Sequence, residues 1–287
     1  MAEPRLWTPA DARDWIAVPD AESDKYSRGV LGVVTGSERY PGAAVIGVEA
    51  AIRTGVGMVR YLGADRPANL VLQRRPEIVT AEGRVQAWLI GSGMDPGKLT
   101  REESSLLDAA LHGGEPVVAD AGSLRRVAAG AHQRAFGVDE SWRIVATPHV
   151  GELATMLSGL GSPAEVEAIR ADPVSYAADV AARLGIVVVL KGGTTHVVAP
   201  DGDAITVSGG SPWLATAGTG DALAGIIGAL VATNAERVLA DPGCLASVAA
   251  SGVLLHAAAG DAAAAEGPLA ALDVAEAVRG VVGGLLR

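Results

Sequence analysis

Cysteine, aromatic residues and clustered positive charge are scarce in this 287-residue chain, and each scarcity excludes a class of protein. The single cysteine, Cys244, excludes a disulfide framework and a cysteine-rich metal cluster. A formal net charge of -10 without a Lys/Arg cluster argues against a groove for nucleic acid, whose phosphates must be neutralised in number. Few aromatics beside abundant alanine, valine, leucine and glycine favour short buried strands alternating with Ala-rich helices over an all-β sandwich.

Long hydrophobic runs are also scarce. Glycine, aspartate or arginine interrupts the apolar stretches before the roughly 20 residues that span a bilayer. Residues 1–28 are charged and lack the basic, apolar and small-residue progression of a secretory signal. We therefore expect a cytoplasmic protein, and no repeat, low-complexity linker or composition break calls for a second domain.

Short apolar runs alternate with helical patterns along the chain, which predicts an α/β fold with a mostly parallel sheet. Strands are predicted over 30–35, 58–62, 88–90, 116–120, 143–147 and 186–190. Helices are predicted over 43–53, 100–111, 153–157 and 174–184, followed by a β-hairpin over 196–199 and 204–207 and by Ala-rich helices at the C-terminal end. Open α/β sheets bind ligands at the carboxyl ends of their strands, so the loops that follow the strands are where a site is expected.

The stretch from Trp213 to Asp221 carries the clearest chemical signal. Gly218 and Gly220 precede an apolar segment of helical length, so free backbone N–H groups at the start of that helix converge on one point, as in anion sites. Asp221 lies at the mouth of the same helix, where the helix dipole is expected to keep its carboxylate ionised near neutral pH. The alternative for Asp221 is a plain N-cap.

Three further loops place polar groups at predicted strand ends, each with a structural alternative. Asp120 could face a metal–phosphate unit or cap the helix that follows it. His149 and Glu152 could contact a ligand, or could satisfy a turn carbonyl and complement a helix dipole. Lys191 begins a Lys-Gly-Gly-Thr-Thr run that could approach a phosphate or ribose, although its spacing differs from the P-loop.

Taken in order, these motifs resemble the ADP-dependent NAD(P)H-hydrate dehydratase family, from about Gly29 to the C-terminus. The resemblance is carried by Gly36-Ser37 with Tyr40-Pro41-Gly42-Ala43-Ala44, Gly91-Ser92-Gly93, Asp120-Ala121, Thr147-Pro148-His149-Val150-Gly151-Glu152, Leu190-Lys191-Gly192-Gly193-Thr194 and Leu214 to Asp221. Val150, Gly122 and Ser92 depart from the residues that the family usually has. His149, Lys191 and Asp221 follow the pattern.

The resemblance implies a ribokinase-like α/β fold, with a central, mostly parallel sheet and helices on both faces. It implies an N-terminal extension over 1–28 and a single dehydratase domain over 29–287. It also implies a homo-oligomer, since relatives form tetramers, and an NAD(P)HX epimerase on a separate chain.

The same resemblance implies ADP-dependent dehydration of (6S)-NADHX or NADPHX to NADH or NADPH, giving AMP and phosphate. Mg²⁺ is expected as a cofactor and ADP as co-substrate, and the protein ligands of the metal are not specified. Asp221 is implied as the catalytic base. The implied substrate contacts are Ala43, Gly93, His149 and Asp221, and the implied nucleotide contacts are Lys191, Gly192, Gly193, Thr194, Thr195 and Gly220.

Two other functions share these features. A small-molecule kinase of the hydroxymethylpyrimidine or hydroxyethylthiazole type would use the same Gly-Thr-Gly-Asp loop and aspartate base to phosphorylate an alcohol and release it intact. A nucleotide-binding regulator would bind the nucleotide without turnover.

Overall fold

One mixed sheet of nine strands runs through the computed structural model, which describes residues 3–133 and 143–287. The strands are β1 (Arg5–Leu6), β2 (Val30–Val34), β3 (Met58–Tyr61), β4 (Ala87–Ile90), β5 (Val117–Ala119), β6 (Ile144–Ala146), β7 (Val187–Leu190), β8 (Thr194–Val198) and β9 (Ala204–Ser208). Their order across the sheet is β1-β9-β8-β7-β6-β5-β4-β2-β3. All neighbours are parallel except that β8 is antiparallel to both β7 and β9.

Helices cover both faces of the sheet. They are α1 (Pro9–Arg13), α2 (Gly42–Thr54), α3 (Asp65–Arg74), α4 (Arg101–His112), α5 (Leu124–Gln133), α6 (Val150–Gly159), α7 (Val166–Ala171), α8 (Pro173–Leu184), α9 (Thr219–Thr233), α10 (Ala235–Ala240), α11 (Leu245–Ala264) and α12 (Ala271–Leu285). One apolar core joins the sheet to α2, α9, α11 and α12, and a second joins its other face to α4, α5, α6 and α8. The predicted α/β class, with a mostly parallel sheet between two helical layers, is confirmed.

The strand and helix ranges predicted from the sequence differ from the observed ones by no more than three residues at either end. The pattern missed β1, α1, α3 and α7. β1 has only two residues, too few to show a period, and it joins the sheet through β9. Part of the predicted N-terminal extension therefore packs on the domain, with Trp7 buried and its Nε1 donating to Ser251 Oγ at 3.2 Å.

Helix α9 is the central element of the core. Twelve of its 15 residues are buried, because it lies between the sheet and the helices α2 and α11. Glycine permits its close crossing with α2: a Cβ on Gly225 would lie 2.2 Å from the backbone oxygen of Gly47. This crossing fixes the N-terminal end of α9, which carries Asp221, beside α2.

One helical stretch among the described residues, Pro242–Ala264, is long and apolar enough by composition to cross a bilayer, with 23 residues and a mean hydropathy of 1.5. The expectation that every apolar run is too short was therefore wrong for this segment. Gly252 does not interrupt the helix; it lets α11 approach α9, since a Cβ there would lie 2.6 Å from Ile227 Cγ1. Within the 18-residue window of this stretch that meets the hydropathy threshold, 61% is buried inside the fold, as in the core helix of a globular domain.

A buried carboxylate ties three helices together. Glu49 of α2 is fully buried, and its Oε1 accepts from Arg53 Nε at 2.9 Å and from Arg75 Nη2 at 2.5 Å. Arg74, at the end of α3, bonds both Glu49 and Glu276 of α12. Burial by itself raises the pKa of Glu49, but the hydrogen bonds from Arg75 and Arg53 outweigh it and leave the pKa below its ordinary value. The ionised cluster holds α2 in register with α3 and α12.

Replacing Glu49 with glutamine is expected to lower the free energy of unfolding by about 1.5 to 3 kcal/mol, because it removes the charge of a buried carboxylate that accepts hydrogen bonds from partly exposed guanidinium groups. Since the folded pKa of Glu49 is lowered, its contribution is complete above its unfolded value and is lost as the pH falls through the folded value. Urea unfolding at neutral pH measures the loss. Glu276→Gln is the matched control, since its side chain is 44% exposed and its pair should be worth less than about 1 kcal/mol. An equal loss in the free energy of unfolding for Glu49→Gln and Glu276→Gln would show that the burial of Glu49 does not strengthen its ion pairs.

Candidate active site

The loops that follow β2, β4, β5, β6 and β7 meet at the carboxyl edge of the sheet, together with the N-terminal end of α9. The strand order places the Lys191 loop, after β7, next to the His149 loop, after β6. Lys191 and His149 form an isolated parallel bridge, in which the Lys191 N–H donates to the Pro148 carbonyl at 2.8 Å. The structure therefore brings together side chains that are far apart in the sequence.

Asp120 is the most enclosed charged group of this edge, with 3% of the residue exposed. Its Oδ1 accepts from Thr147 Oγ1 at 2.7 Å and from Lys191 Nζ at 3.0 Å, and its Oδ2 accepts from Ser92 Oγ at 2.9 Å. Its side chain makes no cap hydrogen bond to the short 3₁₀ turn that follows it, so the helix-cap interpretation was wrong. Asp120 instead serves as the buried counter-charge of Lys191.

Lys191 lies among three carboxylates. Its Nζ is 3.0 Å from Asp120 Oδ1 and 3.8 Å from Glu152 Oε2, and Asp221 is close enough to act on its charge. Burial by itself would lower the pKa of Lys191, but Asp120, Glu152 and Asp221 together raise it above the ordinary value. Lys191 therefore carries a positive charge at neutral pH and remains one-fifth exposed toward the loops that follow.

Asp221 lies in the first turn of α9, and the N-cap of that helix is Gly218, whose φ of +94° favours glycine. The plain N-cap interpretation of Asp221 was therefore wrong. Burial, followed by the negative charge of Asp120, raises the pKa of Asp221 to about 7, while Lys191 lowers it. The expected full ionisation near neutral pH was also wrong, because burial and the negative charge of Asp120 outweigh the stabilisation of the carboxylate by Lys191.

The Gly220 backbone lies close to the lysine. A Cβ at Gly220 would lie 3.6 Å from Lys191 Nζ, so the start of α9 and the Lys191 loop face each other across a narrow gap. The first N–H groups of α9 have no partner within the helix, and a positive charge stands opposite them. Together they form a setting that favours an anion.

His149 and Glu152 form a reciprocal cap on α6. The Glu152 N–H donates to His149 Nδ1 at 3.2 Å, and the His149 N–H donates to Glu152 Oε2 at 2.8 Å. His149 Nδ1 thus accepts from a backbone N–H, so the interpretation that the ring satisfies a turn carbonyl was wrong, whereas Glu152 lies in the first turn of α6, as its helix-dipole interpretation expects. The His149 ring nevertheless remains 60% exposed, and Glu152 also reaches Lys191, so the cap leaves both side chains at the edge of the site.

Ala43 and Gly93 touch each other at the opposite side of the edge. Gly93 has a φ of +66°, and a Cβ there would lie 2.4 Å from Ala43 Cβ, so no larger residue fits. Ser37 Oγ donates to the Gly93 carbonyl at 2.8 Å and fixes this loop against the start of α2.

A cavity of about 640 Å³ lies beside the Lys191 loop. Its walls include His149 and the residues from Leu190 to Thr194, and also Arg170 and His196, which the sequence reasoning missed. Thr195 lies just behind this wall, buried, with its hydroxyl directed to the Gly192 carbonyl at 3.4 Å. Arg170 lies in the last turn of the short helix α7, which carries no motif of its own, so only the fold reveals its place.

His256 of α11 is a second group that the pattern missed. It is hydrogen-bonded to the Thr219 backbone, its Nε2 is buried, and within the described residues that atom lacks a partner. Burial lowers the pKa of His256 to about 4, so a neutral imidazole supports the start of α9.

The described residues contain no group of three or more His, Cys, Asp or Glu side chains arranged to hold a metal ion. Both oxygens of Asp120 are already used by protein donors. Such a donor set suits Mg²⁺ that is held mainly by phosphate oxygens and water, which is how this ion usually binds beside nucleotides.

With this geometry in place, comparison with known proteins decides the family. A family model described as NAD(P)H-hydrate dehydratase matches residues 31–279. The chain belongs to the NAD(P)H-hydrate dehydratase family.

Several relatives of known name are similar to the chain. The bifunctional NAD(P)H-hydrate repair enzyme Nnr of Corynebacterium glutamicum is 40% identical over 223 residues, covering 75% of this chain and 38% of that protein. The ADP-dependent (S)-NAD(P)H-hydrate dehydratase of Neisseria meningitidis is 34% identical over 252 residues, covering 84% of this chain and 79% of that protein. The chain spans 38% to 45% of the length of four bifunctional relatives.

The fold is also similar to a solved structure of the family. The ADP/ATP-dependent NAD(P)H-hydrate dehydratase of Bacillus subtilis, co-crystallised with ATP and Mg²⁺, aligns with a TM-score of 0.80 and 26% identity, covering 99% of this chain and 100% of that one. A hydroxyethylthiazole kinase from Pyrococcus horikoshii aligns at 15% identity and a TM-score of 0.61, a likeness of fold alone. The family resemblance and the ribokinase-like fold are thus confirmed, and the kinase alternative is not favoured.

The raised pKa of Asp221 predicts a pH-dependent stability difference. The unfolded chain has the ordinary value of 3.8 and the folded protein about 7, so the folded state holds the extra proton between them. This contribution to stability is complete below the unfolded value and is lost as the pH rises through about 7. Asp221→Asn, which cannot ionise, is therefore expected to be more stable than the parent above neutral pH.

Thermal unfolding of both proteins across this pH range measures the difference, which should disappear toward the unfolded pKa. Asp261→Asn, on the exposed side of α11, is the control and should show no such trend. A constant difference between Asp221→Asn and the parent at all pH values would contradict the assigned burial of Asp221.

Proposed function

We propose that this protein catalyses the ADP-dependent dehydration of (6S)-NADHX or NADPHX, restoring NADH or NADPH and giving AMP and phosphate. The observation that carries the proposal is the arrangement of Asp221, at the unpaired amides of α9, opposite the positively charged Lys191. This pairing of a base with an anion-binding loop occurs in a chain that matches the family over 31–279.

The reaction proceeds in two steps that balance. Water is a poor leaving group, so the ring hydroxyl of the hydrate first attacks the β-phosphorus of ADP, the bond to AMP breaks, and Asp221 takes the hydroxyl proton. The phosphate ester then leaves as inorganic phosphate while a ring proton is lost, and the double bond of the nicotinamide ring is restored. A base with a pKa of about 7 suits this task near neutral pH.

The amides from Gly218 to Gly220 and the Lys191 ammonium stabilise the charge on the transferring phosphoryl group. The run Lys191, Gly192, Gly193, Thr194 and Thr195, with Gly220, contacts the nucleotide, and the cavity beside this run has room for it. Ala43, Gly93 and His149 contact the hydrate with Asp221. Mg²⁺ bound with the nucleotide would supply positive charge that offsets the charge of the phosphates.

The family resemblance also predicts a homo-oligomer, an epimerase carried by another chain and a cytoplasmic location.

The decisive test is recovery of nicotinamide absorbance from purified (S)-NADHX with ADP and Mg²⁺, with AMP and phosphate measured in parallel. Asp221→Asn is expected to lower the rate by about two to four powers of ten, because it removes the base. In the parent, kcat/KM should fall as the pH drops below about 7, where Asp221 becomes protonated. Release of a stable phosphorylated product without recovered absorbance would instead indicate the kinase, and binding of nucleotide without turnover would indicate the regulator.

Lys191→Met is expected to raise KM for ADP by about ten- to a hundredfold, since a hydrogen bond to a charged group is worth about 1.5 to 3 kcal/mol. Lys191 lowers the pKa of Asp221, so the acid limb of the pH–rate profile should also move to higher pH. Steady-state kinetics at varied ADP separate these effects from kcat. Lys25→Met, an exposed lysine beside Tyr26, is the matched control. An unchanged KM for ADP in Lys191→Met would place Lys191 outside the nucleotide site.

A further inference from the structure

A cavity of about 560 Å³ opens beside the proposed site, at the carboxyl ends of β2, β3 and β4. Its walls come from the loops that follow these strands, including Ser37, Gly63 and Met94, and from the N-terminal turn of α4. No residue implied as a substrate or nucleotide contact lines it. Its volume lies within the range of small-molecule sites.

This cavity and the proposed site lie along the same edge of the sheet. A smaller cavity of about 320 Å³ shares Met94 with it and reaches Glu152, which contacts both His149 and Lys191. Ser37, in the wall of the larger cavity, holds the Gly93 carbonyl. From β7 to β2 the edge crosses four strand spacings, roughly 19 Å at about 4.8 Å each. This separation leaves the cavity free when a nucleotide lies at the Lys191 loop.

The N-terminal turn of α2 lies beside Gly93, since a Cβ on Gly93 would lie 2.4 Å from Ala43 Cβ. This turn contains no acidic residue, and a Cβ on Gly42 would meet nothing within 4 Å, so the space before it is open. Free N–H groups of this turn suit the diphosphate of a dinucleotide whose reacting ring lies near Gly93. The other half of such a ligand then extends away from Lys191 and toward the cavity.

The charged lining of the cavity is predominantly acidic. Two basic side chains, Arg39 and Lys98, face five acidic ones: Glu38, Asp65, Asp95, Glu102 and Glu103. Lys98 and Asp95 lie 4.0 Å apart and offset each other, and Glu38 lies 3.9 Å from Arg66. Asp65, Glu102 and Glu103 then face Arg39. The first turns of α3 and α4 already carry Asp65 and Glu102, so carboxylates stand where these helix ends would otherwise attract a phosphate.

We propose that this cavity holds the adenosine half of the hydrated dinucleotide and that its acidic lining selects NADHX, which lacks a 2′-phosphate, over NADPHX. The inference rests on the proposed function for the identity of the hydrate. A ribose with free hydroxyls can donate hydrogen bonds to these carboxylates, as an acidic residue does in dinucleotide-binding folds. A 2′-phosphate would instead bring about two further negative charges beside them.

Binding and turnover are measured separately, so that the two proposals can fail independently. Titration of the protein with NADH and with NADPH, followed by nicotinamide fluorescence, reports the preference without catalysis, and kcat/KM for (S)-NADHX and (S)-NADPHX reports it in turnover. We expect a preference of about tenfold or more for the forms without the 2′-phosphate, reduced at high salt because exposed charges are screened.

Glu102→Gln is expected to reduce this preference by about threefold or more, because it removes an exposed acidic charge from the lining. Glu236→Gln, an exposed first-turn glutamate on α10 outside the cavity, is the matched control and should keep the parental ratio. Equal binding of NADH and NADPH, or an unchanged ratio in Glu102→Gln, overturns the inference even if both hydrates are dehydrated. A preference for NADH in binding without turnover of either hydrate supports the inference and contradicts the proposed function.

Discussion

The buried ion pair between Lys191 and Asp120 is the interaction on which the arrangement of the site depends. It joins the loop after β7 to the loop after β5 across 71 residues of sequence, and Ser92 and Thr147 bring in the loops after β4 and β6 through the same carboxylate. An enclosed pair of this kind is costly to break, because the remaining charge loses its partner while still buried. The pair therefore sets the positions of four loops as well as the local charge.

The same pair controls the protonation of Asp221. Asp120 raises the pKa of Asp221 and Lys191 lowers it, so the position of the lysine between two carboxylates determines how readily the base ionises. Glu152 adds a further negative charge within 3.8 Å of the lysine while it caps α6. The side chains that hold these loops together are thus also the ones that set the pKa of Asp221.

The sequence predicted the elements and the loops of the site better than their electrostatics. Alternating apolar runs located six strands, and short runs of glycine with Asp221 or Lys191 located the ligand-facing loops, because both signals are local in the chain. The pKa of Asp221 could not be predicted, since it depends on burial and on Asp120, a hundred residues earlier in the sequence. The Glu49 cluster and the placement of Arg170 were missed for the same reason: they exist only once distant helices pack together.

Close packing of the helices in the apolar core fixes the position of the polar residues at the carboxyl edge of the sheet. Small residues let α9 approach α2 at Gly225 and α11 at Gly252, so the N-terminal end of α9 is held by backbone contacts that a side chain would prevent. Because Asp221 lies about one helical turn before Gly225 in α9, the packing of this helix places its carboxylate. Any shift of α2, which the Glu49 cluster anchors to α3 and α12, would move Ala43 and Asp221 together relative to Lys191. The geometry between the base and the lysine is therefore a property of the whole helical layer, and not of the glycine-rich loop in which the aspartate is found.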